Sequence, residues 1–192
     1  MNVLVESTGA LEVGEHITFA YDGSFSGAYR DIPLRDGESI RDVQVLENRR
    51  AFTPGGCTEL GCSSPAGTFG VTRTGDGARV VWHYAALNEQ RTFELSYRLK
   101  GVTVAYDDVV DVNVKLWGDH WEQRLGKLTA TITTRGPVAR AWGHPVSVPG
   151  DVTLEGESVH VRALDVPPET FVEARVLFPR AYLPNPVDAV VR

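Results

Sequence analysis

Long apolar runs are missing from this 192-residue chain. A helix that crosses a bilayer needs about 20 mostly apolar residues in a row, so no segment here is expected to span one. Met1-Asn2-Val3-Leu4 also lacks the basic and apolar regions of a secretory leader. Lysine is scarce: Lys100, Lys115 and Lys127 are the lysines among 19 basic residues, a bias that fits a GC-rich coding background. A net charge of −6 with no clustered basic patch argues against nucleic acid as a partner. Catalytic signatures are absent as well. There is no Gly-x-Ser-x-Gly elbow, no His-Glu-x-x-His pair and no Walker loop. Gly23-Ser-Phe-Ser-Gly27 puts its serines in the wrong place for an elbow. His16, His83, His120, His144 and His160 are scattered singly over strand or turn positions. No catalytic residue and no cofactor is expected.

Cysteine is nearly absent, yet its placement is informative. Cys57 and Cys62 lie in Pro54-Gly-Gly-Cys-Thr-Glu-Leu-Gly-Cys-Ser-Ser-Pro65, a loop rich in turn formers. In an oxidising compartment the two close a small disulfide ring, worth about 2 kcal/mol in the chain-entropy model. In a reducing one they stay thiols. A zinc site would need four ligands, and His83, the nearest candidate, stands alone in the sequence.

Helical periods are rare, and those of strands dominate. Leu11, Val13, Glu15, Ile17, Phe19 and Tyr21 form one alternating face. Val80, Trp82 and Tyr84, then Phe93, Leu95, Tyr97 and Leu99, form others. The pattern returns in Val110 to Leu116, Leu128 to Ile132, Val159 to Ala163 and Val172 to Phe178. Stiff β-branched valine and threonine pack well on pleated surfaces. Gly, Pro and Asp clusters separate the runs. These features predict an all-β fold, an antiparallel β-sandwich of two immunoglobulin-like or sandwich subdomains, 1–104 and 105–192. One large β domain, 1–180, is the alternative. A short helix over His120 to Leu125 is expected, capped by Asp119 with Glu122 in the capping-box position. Three prolines between Pro179 and Pro186 suggest a domain end running into a tether.

The stretch Phe19 to Leu34 begins as a strand, is broken at Asp22-Gly23 and Ser26-Gly27, and continues as Tyr29-Arg-Asp-Ile-Pro33. Pro33 keeps Ile32 out of helical backbone, so Arg30 and Asp31 are held extended between apolar anchors. This motif resembles the signature of the YciQ-like family of bacterial membrane proteins (domain of unknown function 2207). Arg91-Thr-Phe-Glu-Leu-Ser-Tyr-Arg98 is similar to that family's central strand, and Tyr106 to Trp121 to its mid-domain signature. Ala141-Trp-Gly-His144 and Val172-Glu-Ala-Arg-Val-Leu-Phe-Pro179 resemble later signposts. Asp111-Val-Asn-Val114 departs from the family's usual Glu-Leu-Asn-Trp. The resemblance implies an N-terminal extracytoplasmic domain at the bacterial membrane, anchored by segments outside this chain.

Three constellations are candidate sites. Tyr29, Arg30 and Asp31 offer an arginine fork for a carboxylate or phosphate ligand, or a structural lock that satisfies the backbone of the turn. Trp117, Trp121 and Trp142, with Tyr106, form either an aromatic platform for sugar or a core plug. Asp107, Asp108 and Asp111, near Asn113, Asp119 and His120, are weak metal candidates, because no Asp-x-Asp-x-Asp-Gly loop accompanies them. The leading expectation is a non-catalytic domain whose partner is an envelope protein or glycan. A carbohydrate- or peptidoglycan-binding module and a metal-assisted hydrolase are the competing readings.

Overall fold

The computed structural model describes residues 1–192 and is built almost wholly of strands. The first half contains β1 (Asn2–Val5), β2 (Leu11–Ala20), β3 (Ser24–Pro33), β4 (Ser39–Glu47), β5 (Arg50–Ala51), β6 (Thr53–Pro54), β7 (Thr68–Thr74), β8 (Gly77–Leu87) and β9 (Gln90–Lys100). The second contains β10 (Thr103–Ala105), β11 (Val109–Trp117), β12 (Leu125–Thr133), β13 (Arg140–His144), β14 (Gly150–Glu155), β15 (Ser158–Val166), β16 (Val172–Pro179) and β17 (Val190–Val191).

The chain divides into two compact units. One comprises Met1–Val13, Gly37–Ser39 and Arg98–Arg192; the other comprises Gly14–Asp36 and Ile40–Tyr97. A single cut at residue 104 does not describe this division. β1 pairs in parallel with β12, Val3 opposite Ile132, and so belongs with the C-terminal strands.

In the unit that holds both termini, one sheet contains β14, β15, β12 and β1 in that order. The other runs β13-β16-β11-β10-β17. Val110, Val112, Val114 and Leu116 of β11 and Val172, Ala174, Val176 and Phe178 of β16 are buried in alternation, as are Val159, Val161 and Ala163 of β15. In the other unit β2, β9, β4 and β5 are hydrogen-bonded neighbours in that order, and β3, β8, β7 and β6 form a separate four-stranded sheet. Their facing rows meet through aromatic rings. Trp82 lies 6.3 Å from Phe19 and 5.6 Å from Phe93, and Tyr84 lies 4.7 Å from Phe93. The sheets are mixed, because β1–β12, β6–β7 and β10–β17 run parallel.

Two local expectations are corrected. Residues 118–124 form an irregular loop rather than a helix. The Trp121 carbonyl accepts from the Glu169 amide, so the backbone of this segment is bonded across to another loop instead of along its own axis. The proline-rich exit is docked, not a free tether. A 3₁₀ turn (Arg180–Tyr182) leads to the fully buried Leu183, and the Asp188 amide donates to the Thr8 carbonyl. β17 then pairs with β10.

Candidate functional site

Strand alternation sends neighbouring residues to opposite faces, and this decides the fate of Arg30 and Asp31. Both lie on β3, where Arg30 is opposite Val80 and Asp31 opposite Arg79. Arg30 points inward and is 1% exposed. Its Nε donates to Glu15 Oε2 at 3.1 Å, and a terminal nitrogen donates to the Asp31 carbonyl at 2.8 Å. The second terminal nitrogen reaches Glu15 Oε1 at 3.4 Å, and the Tyr97 hydroxyl donates to the same oxygen. Burial works most strongly against the charged guanidinium, but the Glu15 charge and hydrogen bond, with Tyr97 and Asp31, together hold Arg30 above its ordinary value. Burial, reinforced by the Glu15 charge, pushes the Tyr97 phenol well up, so it stays a donor. The arrangement is a closed ion pair inside the smaller unit, out of reach of a ligand in solution.

Asp31 turns outward to a different partner. Arg79 grips its two oxygens in a bidentate fork at 2.6 and 2.7 Å. The same guanidinium sits 4.7 Å from the centre of the Tyr29 ring. Tyr29, Arg30 and Asp31 are therefore split between two faces of one sheet and do not form a single binding constellation.

The tryptophans are also divided. Trp117 and Trp121 stack at 4.6 Å with 13° between ring planes, and both are buried. Trp142 on β13 is 37% exposed and lies opposite Arg175 of β16, whose guanidinium is 5.9 Å from its ring. The three indoles do not build one platform. Asp111 is likewise engaged. Arg175 donates to its carboxylate at 2.6 and 3.1 Å, and that contact raises Arg175 above its ordinary value. A carboxylate already neutralised by arginine is a poor cation ligand, while Asp107 and Asp108 are exposed in the turn before β11. This removes the acidic centre on which a metal-assisted hydrolase would depend.

Cys57 and Cys62 are joined as a disulfide. His83, separated from them in sequence, is beside them in space. It is 3% exposed, its Nε2 donates to the Cys57 carbonyl at 3.0 Å, and Cys57 Sγ lies 3.8 Å away. The backbone before the ring lies flat on the sheet, where the Gly55 and Gly56 amides both donate to the Phe69 carbonyl at 2.9 Å. Glycine is required at position 70, because a Cβ there would meet the Gly56 carbonyl oxygen at 2.1 Å.

Sequence reasoning missed Glu15 and Tyr97 as partners of Arg30, and it set His83 aside as a lone histidine although the fold brings it beside the cysteines. A signal for the first two was present. Both occupy inward positions of alternating strands, where an ionisable group needs a buried partner. His83 carried no such mark, since its pairing depends on how the Cys57 loop folds over β8.

These features define a two-unit, all-β domain whose buried charges are internally paired. No helix is long and apolar enough to cross a membrane. The chain belongs to the family described as predicted membrane protein (DUF2207) N-terminal domain, whose model matches residues 1–178. No curated protein matches.

Proposed function

We propose that this chain is a non-catalytic, extracytoplasmic module of a membrane-anchored bacterial protein, with an interaction or structural role at the cell envelope. The observation that carries the reading is the Cys57–Cys62 disulfide in a half-exposed loop, since such bonds persist in oxidising compartments. The internal pairing of Arg30 with Glu15 and of Asp111 with Arg175 supports the non-catalytic part, because groups committed to each other are not poised to act on a substrate. The test is topological. In cells making the full-length membrane protein, this domain should be labelled by a membrane-impermeant reagent at an engineered surface cysteine. Labelling only after the membrane is breached would overturn the extracytoplasmic assignment.

One observation favours a second reading, recognition of a glycan. Trp142 presents an exposed indole flanked by Arg175, and aromatic faces with adjacent polar groups suit sugar rings. Co-sedimentation with insoluble peptidoglycan that is lost in Trp142→Ala would support it. Equal co-sedimentation of both proteins, or none, would refute it.

A further inference from the structure

A histidine buried behind a disulfide gains little from the sulfurs, which are weak acceptors. Yet the Sγ atoms of Cys57 and Cys62 and a ring nitrogen of His83 all lie within 4.8 Å of one another. We propose that this disulfide is the closed state of a redox-gated metal site: when reduced, Cys57, Cys62 and His83 bind one thiophilic divalent transition-metal ion of the zinc class. The inference concerns the chemistry of the reduced loop, and its test is independent of the proposed envelope role.

Convergence after reduction is what the site requires, and the loop's anchors provide it. Cys57 is held beside His83 by bonds that do not involve sulfur. The Gly55 and Gly56 amides grip the Phe69 carbonyl, the Gly67 amide grips the His83 carbonyl at 2.8 Å, and the Cys57 amide donates to Ser64 Oγ at 2.9 Å. Cys62 is tied back into the ring by its amide bond to the Glu59 carbonyl at 3.2 Å. Opening the S–S bond therefore leaves one thiol fixed against the imidazole and the other five residues away on a short loop. Two thiolates and one imidazole are ligands that select zinc-like ions over calcium or magnesium. His83 is buried and both cysteines are half-buried, so the ion would meet protein on the sheet side and water on the other, leaving the fourth tetrahedral position to solvent.

The chemistry balances in two steps. A dithiol reductant supplies two electrons and two protons, converting the disulfide to two thiols and becoming a disulfide itself. The thiols then lose both protons as two metal–sulfur bonds form, while the His83 ring proton moves from Nε2 to Nδ1 so that Nε2 can ligate. Net release is two protons per divalent ion, and the oxidised protein cannot bind because neither disulfide sulfur can become the thiolate that ligates the metal.

The test uses cobalt(II) as the probe. Full-length chain is reduced, freed of reductant without oxygen, and titrated with cobalt(II) while absorbance is followed. The expected result is a sulfur-to-cobalt charge-transfer band and tetrahedral ligand-field bands that saturate at one ion per chain and vanish on adding zinc. Oxidised chain should give neither. His83→Asn, which keeps a donor for the Cys57 carbonyl, should bind at least about tenfold more weakly with altered ligand-field bands. Cys57→Ser with Cys62→Ser should lose the charge-transfer band. The wild-type comparison of reduced with oxidised chain needs no substitution, so a misfolded variant does not blunt it. No charge-transfer band in reduced wild type at excess cobalt, or undiminished affinity in folded His83→Asn, would overturn the proposal and leave His83 as a loop anchor alone.

Discussion

Replacing Arg30 with alanine removes the cation from a site that water does not reach. Glu15, itself 4% exposed, would lose two donors from the guanidinium and keep the Tyr97 hydroxyl, while the Asp31 carbonyl would lose its 2.8 Å partner. Breaking a buried pair by deleting one member costs about 3–5 kcal/mol, mostly the penalty of an uncompensated buried charge. With a urea dependence of about 1–3 kcal/mol per molar, the unfolding midpoint should fall by about 1 M or more. Denaturant melts followed by tryptophan fluorescence read this directly, because Trp82 lies in the core of the same unit. A second measurement isolates the pairing from lost packing. Glu15→Ala combined with Arg30→Ala should cost clearly less than the two single changes added together, since the first substitution already spoils the interaction. An unchanged midpoint in Arg30→Ala, or strict additivity in the cycle, would refute the reasoning.

Stability should fall as pH rises above about 10. Burial raises Tyr21, Tyr84 and Tyr97, so the folded chain keeps protons that the unfolded chain releases, and stability present below the unfolded value is lost as pH climbs toward the folded ones. Phenolate absorbance should show three of the six tyrosines ionising only with unfolding, and Tyr97→Phe should flatten the alkaline slope. At the acid end, bonds from Lys100 and Thr8 hold Asp188 below the usual carboxylate range. Its contribution is present above about pH 4 and lost as pH falls through the lowered value, so Asp188→Asn should reduce the acid slope in pH-dependent melts. Trp117→Ala should destabilise by about 3–5 kcal/mol, whereas Trp142→Ala should stay within about 0.5 kcal/mol. Equal losses in thermal melts would contradict the burial that separates the two indoles.

Much of the fold was legible in the residue pattern. Period-two alternation in Leu11 to Tyr21 and Phe93 to Leu99 marks strands with one buried face, because the side-chain period of a strand is a local property of the backbone. The same alternation placed Glu15 and Tyr97 inward before any partner for them was known. The composition of the Cys57 loop suggested a ring between two cysteines at a sequence separation of 5, which is again local. The segment 118–124 shows where local reasoning stops. Its capping pattern favours a helical turn, but a cross-loop bond to Glu169 and the stacking of Trp121 on Trp117 outweigh a preference worth about 1 kcal/mol.

By itself the sequence determined the all-β class, the strands and the faces of most of them. Only the tertiary structure decided which strands pair, and with that which charges meet. β1 joins β12 across 129 residues, with Asn2 opposite Thr131, and no periodicity encodes such a register. Arg30 on β3 finds Glu15 and Tyr97 on strands of another sheet, Asp31 finds Arg79 on the paired strand β8, and Cys57 finds His83 where its loop folds over β8. Alternation states that a residue points inward. What it meets there depends on the strand that arrives from elsewhere in the chain, and that is settled by packing over the whole unit rather than by neighbours in the sequence.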